Sequence, residues 1–276
     1  MTFVQPIYGI FDTHAHYFDR RFEGEGNGAE GILSEIMPRP VSSIINVGTN
    51  LENSVRAIEQ AARYQGMYAA VGIHPEDCHY IDCVELACEQ LSELLGTPES
   101  REDRKIVAIG EIGLDYHWEK YGDIPMDKGK QMAFFRAQME MAQLIEMPVI
   151  IHDREAHGDC FETVLKYPSV RGVFHSYSGS AEMAKELARR GWYISFSGTL
   201  TFKNASKVRE AALAVPRDRL LVETDAPYLA PHPMRGRLNH SGLLTHTLTA
   251  LAELWNCSVQ EAARQTASNA RELFLV

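Results

Sequence analysis

The sequence predicts a (β/α)8 barrel, an α/β fold in which eight parallel strands alternate with helices. Short runs rich in β-branched residues alternate with longer amphipathic stretches along the 276 residues, as is typical of βα units around a parallel sheet. Ionisable residues follow several of these apolar runs, at the end of the strands where barrel enzymes carry their sites. No low-complexity tract or Pro/Ser-rich linker divides the chain, so residues 1–276 are expected to form one domain.

The expected elements follow one another in a regular order. The predicted strands are GIFDT (9–13), SIINVG (43–48), MYAAVG (67–72), KIVAIG (105–110), PVIIH (148–152), RGVFH (171–175), WYISFS (192–197) and RLLVET (219–224). Helical spacing of apolar residues predicts helices at 29–37, 52–65, 82–95, 127–146, 155–166, 180–190, 204–214, 243–256 and 258–274. In 127–146, for example, Phe135, Met139 and Ala142 keep a three-to-four spacing, and Pro148 then ends the helix.

Composition limits the classes of function. Hydrophobic residues make up 45% of the chain and the net charge is −10, so general electrostatic coating of duplex DNA is not expected. A nucleic-acid enzyme remains compatible with this charge, because bound divalent cations reverse the local field. The sequence shows no basic leader and no long apolar segment. Its five cysteines include no CxxC pair. We therefore expect a cytoplasmic protein without a membrane segment.

Ionisable residues cluster at the predicted strand ends. The first strand ends in Asp-Thr-His-Ala-His (12–16), and residues two apart on a strand point the same way. Imidazoles and carboxylates that converge at one end of a barrel supply ligands for one or two divalent cations. The candidate ligands are His14, His16, Glu111, His152, His175 and Asp225.

Two further carboxylates at these ends have open roles. Glu223 either orients a ligand or the substrate, or is structural. Asp12 either orients the histidines or satisfies backbone donors, and the second interpretation is favoured. Cations bound nearby would lower the pKa of coordinated water toward neutrality. The sequence alone therefore predicts a metal centre and leaves its reaction open.

Five motifs in order, HAH, GEIGLDY, IIHDREAH, FHSYSG and ETDAPYLAP, resemble the TatD family of metal-dependent deoxyribonucleases among the amidohydrolase-type barrels. The resemblance covers essentially the whole chain, and also includes TFKNA (201–205) and SNARELF (268–274). It implies a two-metal phosphodiesterase with exonuclease action on DNA and, for some members, on RNA. His14, His16 and Asp225 would hold one metal, His152 and His175 the other, and Glu111 would bridge the two. Asp225 would also accept a proton from the attacking water, and the metals would be Zn²⁺, Mg²⁺ or Mn²⁺.

Substrate contacts are expected from a second group of residues. His74 either occupies a family position that approaches substrate phosphate or is a turn histidine before Pro75. Arg154 either binds phosphate with its guanidinium fork or forms a surface ion pair with Glu155 or Asp159. Basic residues after the seventh and eighth strands are expected to make the barrel mouth locally positive; they are Lys203, Lys207, Arg209, Arg235 and Arg237. The motif tyrosines Tyr116, Tyr177 and Tyr228 either stack on bases or only pack.

One motif departs from the family pattern. Family members commonly read RGxRNEP after the APYLAP segment, whereas this chain reads RGRLNHS over 235–241. His240 thus stands where the family has an acidic residue, and Ser241 where it has proline.

Three functions remain in competition at this point. The leading hypothesis is a 3′→5′ exodeoxyribonuclease acting on single-stranded DNA or 3′ ends, expected as a monomer. The second is a metal-dependent ester or amide hydrolase, such as a D-aminoacyl-tRNA deacylase, with RNA or tRNA as partner. The third is a non-catalytic metal-binding barrel, motivated by His240.

Overall fold

Eight parallel strands form a barrel, and helices connect them. The structure, a computed structural model, describes residues 7–24 and 28–276. The strands in chain order are β1 (Ile10–Ala15), β2 (Val41–Val47), β3 (Met67–Val71), β4 (Ile106–Asp115), β5 (Lys120–Tyr121), β6 (Ile124–Pro125), β7 (Val149–Arg154), β8 (Gly172–Phe174), β9 (Tyr193–Phe196) and β10 (Leu220–Val222). The eight strands of the barrel sheet are hydrogen-bonded in the order β1, β2, β3, β4, β7, β8, β9 and β10. Strands β5 and β6 form a separate antiparallel hairpin.

Ten α-helices lie among these strands in the described part of the chain. They are α1 (Gly28–Ile36), α2 (Leu51–Arg63), α3 (Val84–Leu95), α4 (Pro98–Asp103), α5 (Lys128–Ile145), α6 (His157–Val164), α7 (Ala181–Arg189), α8 (Ser206–Ala214), α9 (Leu244–Trp255) and α10 (Val259–Phe274). None of these helices is both long enough and apolar enough to cross a bilayer. Several begin at side-chain caps, such as Asn50 for α2 and the capping box of Ser258 with Glu261 for α10.

The barrel closes at a seam between β1 and the segment after β10. Ala15 and Ala226 form a parallel bridge, and the His16 N–H donates to the Ala226 carbonyl at 2.7 Å. The Asp225 N–H donates to the His14 carbonyl at 2.9 Å. The seam therefore places Asp225 beside the two histidines of β1.

Two large apolar clusters hold the barrel together. The larger packs strand side chains such as Ile44 and Ile151 against residues of the surrounding helices, including Phe135 and Leu248. The smaller cluster draws on every strand of the barrel and therefore fills its interior; its strand members are Phe11, Ile45, Val47, Ala70, Ala108, Ile150, Val173, Tyr193 and Leu221. Ala267, Ala270, Leu273 and Phe274 of α10 join that interior cluster.

The predicted barrel is confirmed. All eight predicted strands and all nine predicted helices are present, with ends displaced by a few residues. Two features were not predicted, namely the six-residue helix α4 and the β5–β6 hairpin, whose strands have two residues each. The fourth predicted strand covers 105–110, whereas β4 continues to Asp115.

Candidate metal centre and active-site cleft

The six side chains proposed as metal ligands lie together around Glu111. Its Oε2 is 3.3 Å from Nε2 of His14 and 3.7 Å from Nε2 of His16. Oδ1 of Asp225 lies 3.8 Å and 3.4 Å from the same two nitrogens. We call His14, His16 and Asp225 the first lobe of the centre.

A second lobe, formed by His152 and His175, faces the other carboxylate oxygen of Glu111. Nδ1 of His152 and Nε2 of His175 each lie 2.7 Å from Glu111 Oε1. The two oxygens of one buried carboxylate thus point at two different groups of ring nitrogens. This is the arrangement that a bridging carboxylate requires.

A break in the regular ladder of β4 positions Glu111. The pairing of β4 with β7 shifts register between Ile109 and Ile112, and the Glu111 N–H donates to the Gly48 carbonyl beyond β2 at 2.9 Å. Gly113 then allows β4 to approach β7 closely, because a Cβ at that position would lie 2.0 Å from the His152 carbonyl oxygen. Gly113 also has φ of +139°, which side chains disfavour. Glycine therefore brings Glu111 and His152 onto adjoining strands at close range.

Asp12 fixes the seam on which the first lobe depends. The fully buried carboxylate accepts hydrogen bonds from the backbone N–H groups of His14 and Thr224, at 3.3 and 2.9 Å, and from the Thr224 hydroxyl at 2.5 Å. Burial raises its pKa to about 6, although these hydrogen bonds oppose the increase. Asp12 therefore satisfies backbone donors, as the favoured interpretation of the sequence held.

Hydrogen bonds on the outer ring nitrogens set the tautomers of three histidines. Nδ1 of His16 lies 2.6 Å from the Val47 carbonyl oxygen, so this nitrogen carries the proton. Nδ1 of His175 lies 3.1 Å from Glu223 Oε1, and Nε2 of His152 lies 3.0 Å from Asp115 Oδ2. Because these oxygens accept, each neutral ring keeps a lone pair on the nitrogen that faces Glu111.

The lone pairs left in this way face one another, and this geometry fits bound cations. Nδ1 of His152 and Nε2 of His175 are 3.2 Å apart, and two acceptors this close repel one another unless a proton or a cation lies between them. Nε2 of His16 likewise lies 3.1 Å from Nε2 of His14, a ring whose tautomer is not set by any hydrogen bond to Nδ1 among the described residues. Imidazole nitrogens and carboxylate oxygens are ligands that zinc and related divalent metals prefer. The donor set therefore fits a metal centre.

The charges of the centre favour ionised carboxylates. Burial alone would raise the pKa of Glu111, but its interactions with the rings of His175, His74 and His14 outweigh burial and hold that pKa well below its usual range. Burial opposes protonation of His152, yet hydrogen bonds to Asp115 and Glu111 raise its pKa to about 9. Protons and metal ions therefore compete for the same lone pairs.

His74 turns a protonated ring nitrogen toward Glu111, whereas His16, His152 and His175 turn a lone pair toward it. Its Nδ1 accepts a hydrogen bond from the Glu76 N–H at 3.1 Å, so a neutral ring carries its proton on Nε2. That nitrogen lies 3.4 Å from Glu111 Oε1. Among the described residues, His74 forms one of three compact groups of potential ligand atoms, together with Glu111 and His152. The other two are His14 with His16 and Glu111, and His14 with His175 and Glu223. The tautomer makes His74 a hydrogen-bond donor toward the centre.

The centre lines a cleft of about 640 Å³. Arg154 also lines this cleft, with a side chain that is 44% exposed and an Nη1 atom 3.9 Å from Asp115 Oδ2. The cleft thus joins the candidate ligands to His74 and Arg154, two of the residues expected to contact substrate. Its remaining lining residues include Phe18, Asp19, Arg21, Thr49, Asn53, Trp118, Lys120, Tyr121 and Tyr228.

Three other residues expected to contact substrate lie elsewhere. Arg235 lies over the Phe202 ring, 3.9 Å from its centroid, and Arg237 lines a separate cavity with Glu35 and His240. Lys203 is exposed. Among the described residues that line the cleft, none of the three appears. Arg209 of the same region donates to the Leu200 and Phe202 carbonyls, and contact of these basic side chains with substrate stays a prediction.

Of the three motif tyrosines, one reaches the cleft. The buried Tyr177 donates its hydroxyl to the Ser180 carbonyl, and Tyr116 donates to Asp159 and lies under Lys128. Tyr228 lines the cleft. Of the two expected roles, packing within the protein therefore fits Tyr116 and Tyr177.

Residue 240, where the chain departs from the family motif, faces away from the centre. His240 lines the separate cavity with Glu35. The preceding Asn239 donates to the carbonyls of Thr224 and Tyr228, at 2.9 and 2.6 Å, and holds the loop after β10 in place. The asparagine of the motif thus supports the site, whereas the substitution at 240 leaves the six candidate ligands in place.

Sequence reasoning missed Asp115, which holds the His152 ring. The residue belongs to the motif GEIGLDY, but the predicted strand ended before it. Its backbone N–H and carbonyl are bonded by the side chain of Gln131. An Asp four residues after the bridging Glu is the signal that was available. This spacing places Asp115 next to His152 only because β4 extends through both Glu111 and Asp115.

Comparison with known proteins agrees with this geometry. A family model for TatD related DNase matches residues 11–275. YabD of Bacillus subtilis, an uncharacterized metal-dependent hydrolase, is 37% identical over 270 residues, which cover 97% of this chain and 99% of that protein. The uncharacterized metal-dependent hydrolase TatD of Mycobacterium tuberculosis is 34% identical and covers 96% of this chain and 97% of its own. The crystal structure of YjjV, a TatD homolog from Escherichia coli, superposes with a TM-score of 0.84 at 31% identity, covering 97% of this chain and 98% of that chain. The chain therefore belongs to the TatD family of metal-dependent hydrolases.

Proposed function

We propose that this chain is a divalent-metal-dependent phosphodiesterase that removes nucleotides from the 3′ end of single-stranded DNA. The observation that carries the proposal is the placement of the two Glu111 oxygens, 2.7 Å from the second-lobe nitrogens and 3.3 Å from His14 of the first lobe. One carboxylate between two nitrogen-rich groups suits a pair of cations, and paired cations are the usual apparatus for phosphodiester hydrolysis. The match to a model for TatD related DNase supports DNA as the substrate.

The metals would be held by the two lobes with Glu111 between them. His14, His16 and Asp225 would hold one ion, and His152 and His175 the other. Bound there, divalent cations would lower the pKa of coordinated water and offset the charge that develops on the phosphoryl oxygens. The nitrogen-rich donor set favours Zn²⁺ or Mn²⁺ over Mg²⁺, which prefers oxygen ligands.

Asp225 is placed to accept the proton of the attacking water. Burial alone would raise its pKa, but the hydrogen bond to His16 and the charges of the nearby histidines lower it. The carboxylate is therefore ionised at neutral pH. Its Oδ1 faces the histidines of the first lobe, and the side chain keeps 16% exposure toward the cleft. The second oxygen supplies a base within the cleft.

His74 and Arg154 supply donors for the phosphate. The Nε2–H of His74 points at the centre, where it would donate to a non-bridging oxygen. The half-exposed guanidinium of Arg154 offers two parallel N–H groups at the side of the second lobe. Glu223 and Asp115 take no part in the bond change. They hold His175 and His152 in the tautomers that leave a lone pair for the metal.

The test uses single-stranded oligonucleotides labelled at the 5′ or the 3′ end, supplied in turn with Mg²⁺, Mn²⁺ and Zn²⁺. The 5′-labelled strand should shorten one nucleotide at a time, and the 3′-labelled strand should lose its label at once. Glu111→Gln should abolish detectable digestion, because it removes the negative charge between the two lobes, while Glu59→Gln, at an exposed position on α2, should match wild type. Circular dichroism would establish that both variants are folded.

Two results would contradict the proposal. Undiminished digestion by Glu111→Gln would exclude a centre built on this carboxylate. Activity on D-aminoacyl-tRNA with none on any oligonucleotide would assign the same centre to an ester carbonyl.

A further inference from the structure

We propose that the cleft holds two nucleosides, one on each side of the scissile phosphate, on two aromatic–arginine pairs. The first pair is Tyr228 with Arg21, beside the first lobe. The second pair is Trp118 with Arg154, beside the second lobe. The inference rests on the proposed function and specifies how its substrate is held.

The Trp118 pair adjoins the second lobe. Trp118 follows β4 in the loop before β5 and is 47% exposed although it is a large aromatic residue. The guanidinium carbon of Arg154 lies 5.5 Å from the indole centroid. Arg154 in turn lies 3.9 Å from Asp115, the carboxylate that bonds His152. The indole is thus connected to a second-lobe histidine through Arg154 and Asp115.

The Tyr228 pair adjoins the first lobe. The Tyr228 ring centroid lies 6.2 Å from that of His16, and its hydroxyl donates to Asp19 Oδ2 at 2.8 Å. The Arg21 guanidinium covers the ring at 4.2 Å from the centroid. The ring is therefore held in place and carries an exposed guanidinium plane on one face. Bases stack on guanidinium planes as they do on aromatic rings.

The chemistry of these pairs matches a single strand. Each pair combines a π surface for a base with a cation for a phosphate, the combination that recurs in sites for single-stranded nucleic acid. The lobes lie on opposite sides of Glu111, so a strand whose phosphate sits at the centre would extend one nucleoside toward each pair. Bases within a duplex are already stacked on their neighbours, and the arrangement therefore favours unpaired ends.

The test pairs substitutions in the protein with missing bases in the substrate. Oligonucleotides carry an abasic residue at the 3′-terminal or the penultimate nucleoside, and kcat/KM is measured for wild type, Trp118→Ala and Tyr228→Ala. On the intact strand each variant should lose roughly 5- to 150-fold. Removing the base that stacks on Trp118 should cost wild type a similar factor and cost Trp118→Ala almost nothing. Tyr228→Ala should show the same loss of sensitivity at the other nucleoside.

Three further variants separate stacking from general damage. Trp118→Phe keeps a ring and should recover most of the activity. Arg21→Ala removes an exposed side chain and should weaken the same nucleoside position as Tyr228→Ala. Tyr8→Ala is the matched control, because Tyr8 is an exposed ring with Arg39 over it at 5.6 Å but lies outside the cleft. This control should match wild type.

The failures of the two proposals are distinguishable. If wild type degrades no strand, the proposed function is wrong and the stacking test is not reached. If wild type degrades the intact strand but the abasic penalty is absent, or persists in full in both alanine variants, the two pairs do not hold bases. Loss of sensitivity at the same nucleoside in both variants would also overturn the placement on opposite sides of the phosphate.

Discussion

Replacing Asp115 by Asn tests whether carboxylates outside the lobes prepare the histidines for metal. Oδ2 of this fully buried Asp accepts the Nε2–H of His152 at 3.0 Å, and its Oδ1 accepts the His117 backbone N–H at 2.9 Å. Asparagine keeps the size and one acceptor but removes the negative charge. The His152 ring would then lose the partner that fixes its orientation and raises its basicity.

The expected size of the effect follows from what holds the proton of His152. Burial lowers the pKa of His152, but the hydrogen bond to Asp115, followed by the contacts with Glu111, raises it to about 9. Removing the Asp115 charge should therefore lower the basicity of the ring and its affinity for a cation. Substitutions of such outer carboxylates typically cost 10–100-fold in metal affinity or activity, so we expect a loss in that range.

The assay is a competition titration of Mn²⁺ or Zn²⁺ against a chelator, at several pH values. Asp115→Asn should bind one of its ions about 10–100-fold more weakly at high pH. The pH at which that ion binds should also fall, because a less basic His152 releases its proton at lower pH. Asp153→Asn is the matched control, since Asp153 is also a buried carboxylate bonded to a histidine, His157, at 2.8 Å.

The reasoning would be refuted if Asp115→Asn bound metal as wild type does, or lost no more affinity than Asp153→Asn. A loss of affinity without a shift along the pH axis would show that Asp115 acts through packing alone.

Two further predictions concern metal and protons. Since the pKa of His152 is raised to about 9 and that of His175 lies well above its usual value, both rings must release protons before they bind a cation; burial opposes their protonation, but Glu111 and the neighbouring carboxylates outweigh it. Metal affinity should therefore rise with pH from 6 to 8, and affinity independent of pH in titrations would contradict these directions. Removing the metal with a chelator should lower the melting temperature by roughly 5–10 °C from the value at a hundredfold excess of metal over Kd. An unchanged melting temperature in scanning calorimetry would show that the folded chain holds no such ion.

Much of the centre can be predicted from the sequence because the parallel strand topology brings the ligand residues together. The carboxyl ends of the strands in a closed barrel lie at one rim, so His14, His152 and His175 meet although more than 130 residues separate the first from the second. The strand and helix order follows from the same alternation of apolar runs. Hydrophobic periodicity therefore predicted the strands, and the ionisable residues at the strand ends then indicated the candidate ligands.

Other features depend on local geometry that periodicity does not carry. The glycines of GEIGLDY interrupt the alternation of β4, so the strand could not be followed to Asp115. Helix α4 has only six residues, although Thr97 caps it and Pro98 opens it. A basic residue after a strand does not reveal where its side chain points: Arg235 lies over the Phe202 ring, whereas Arg154 lines the cleft. Trp118 lies before the β5–β6 hairpin, whose strands of two residues each are too short to produce a recognisable sequence pattern.

Anomalous diffraction from crystals of this protein grown with Mn²⁺ tests the two-lobe centre most directly. We predict two peaks on opposite sides of Glu111, one within bonding distance of His14, His16 and Asp225 and the other within bonding distance of His152 and His175. A single peak, or peaks that leave either lobe without a bond to metal, would contradict the two-cation centre.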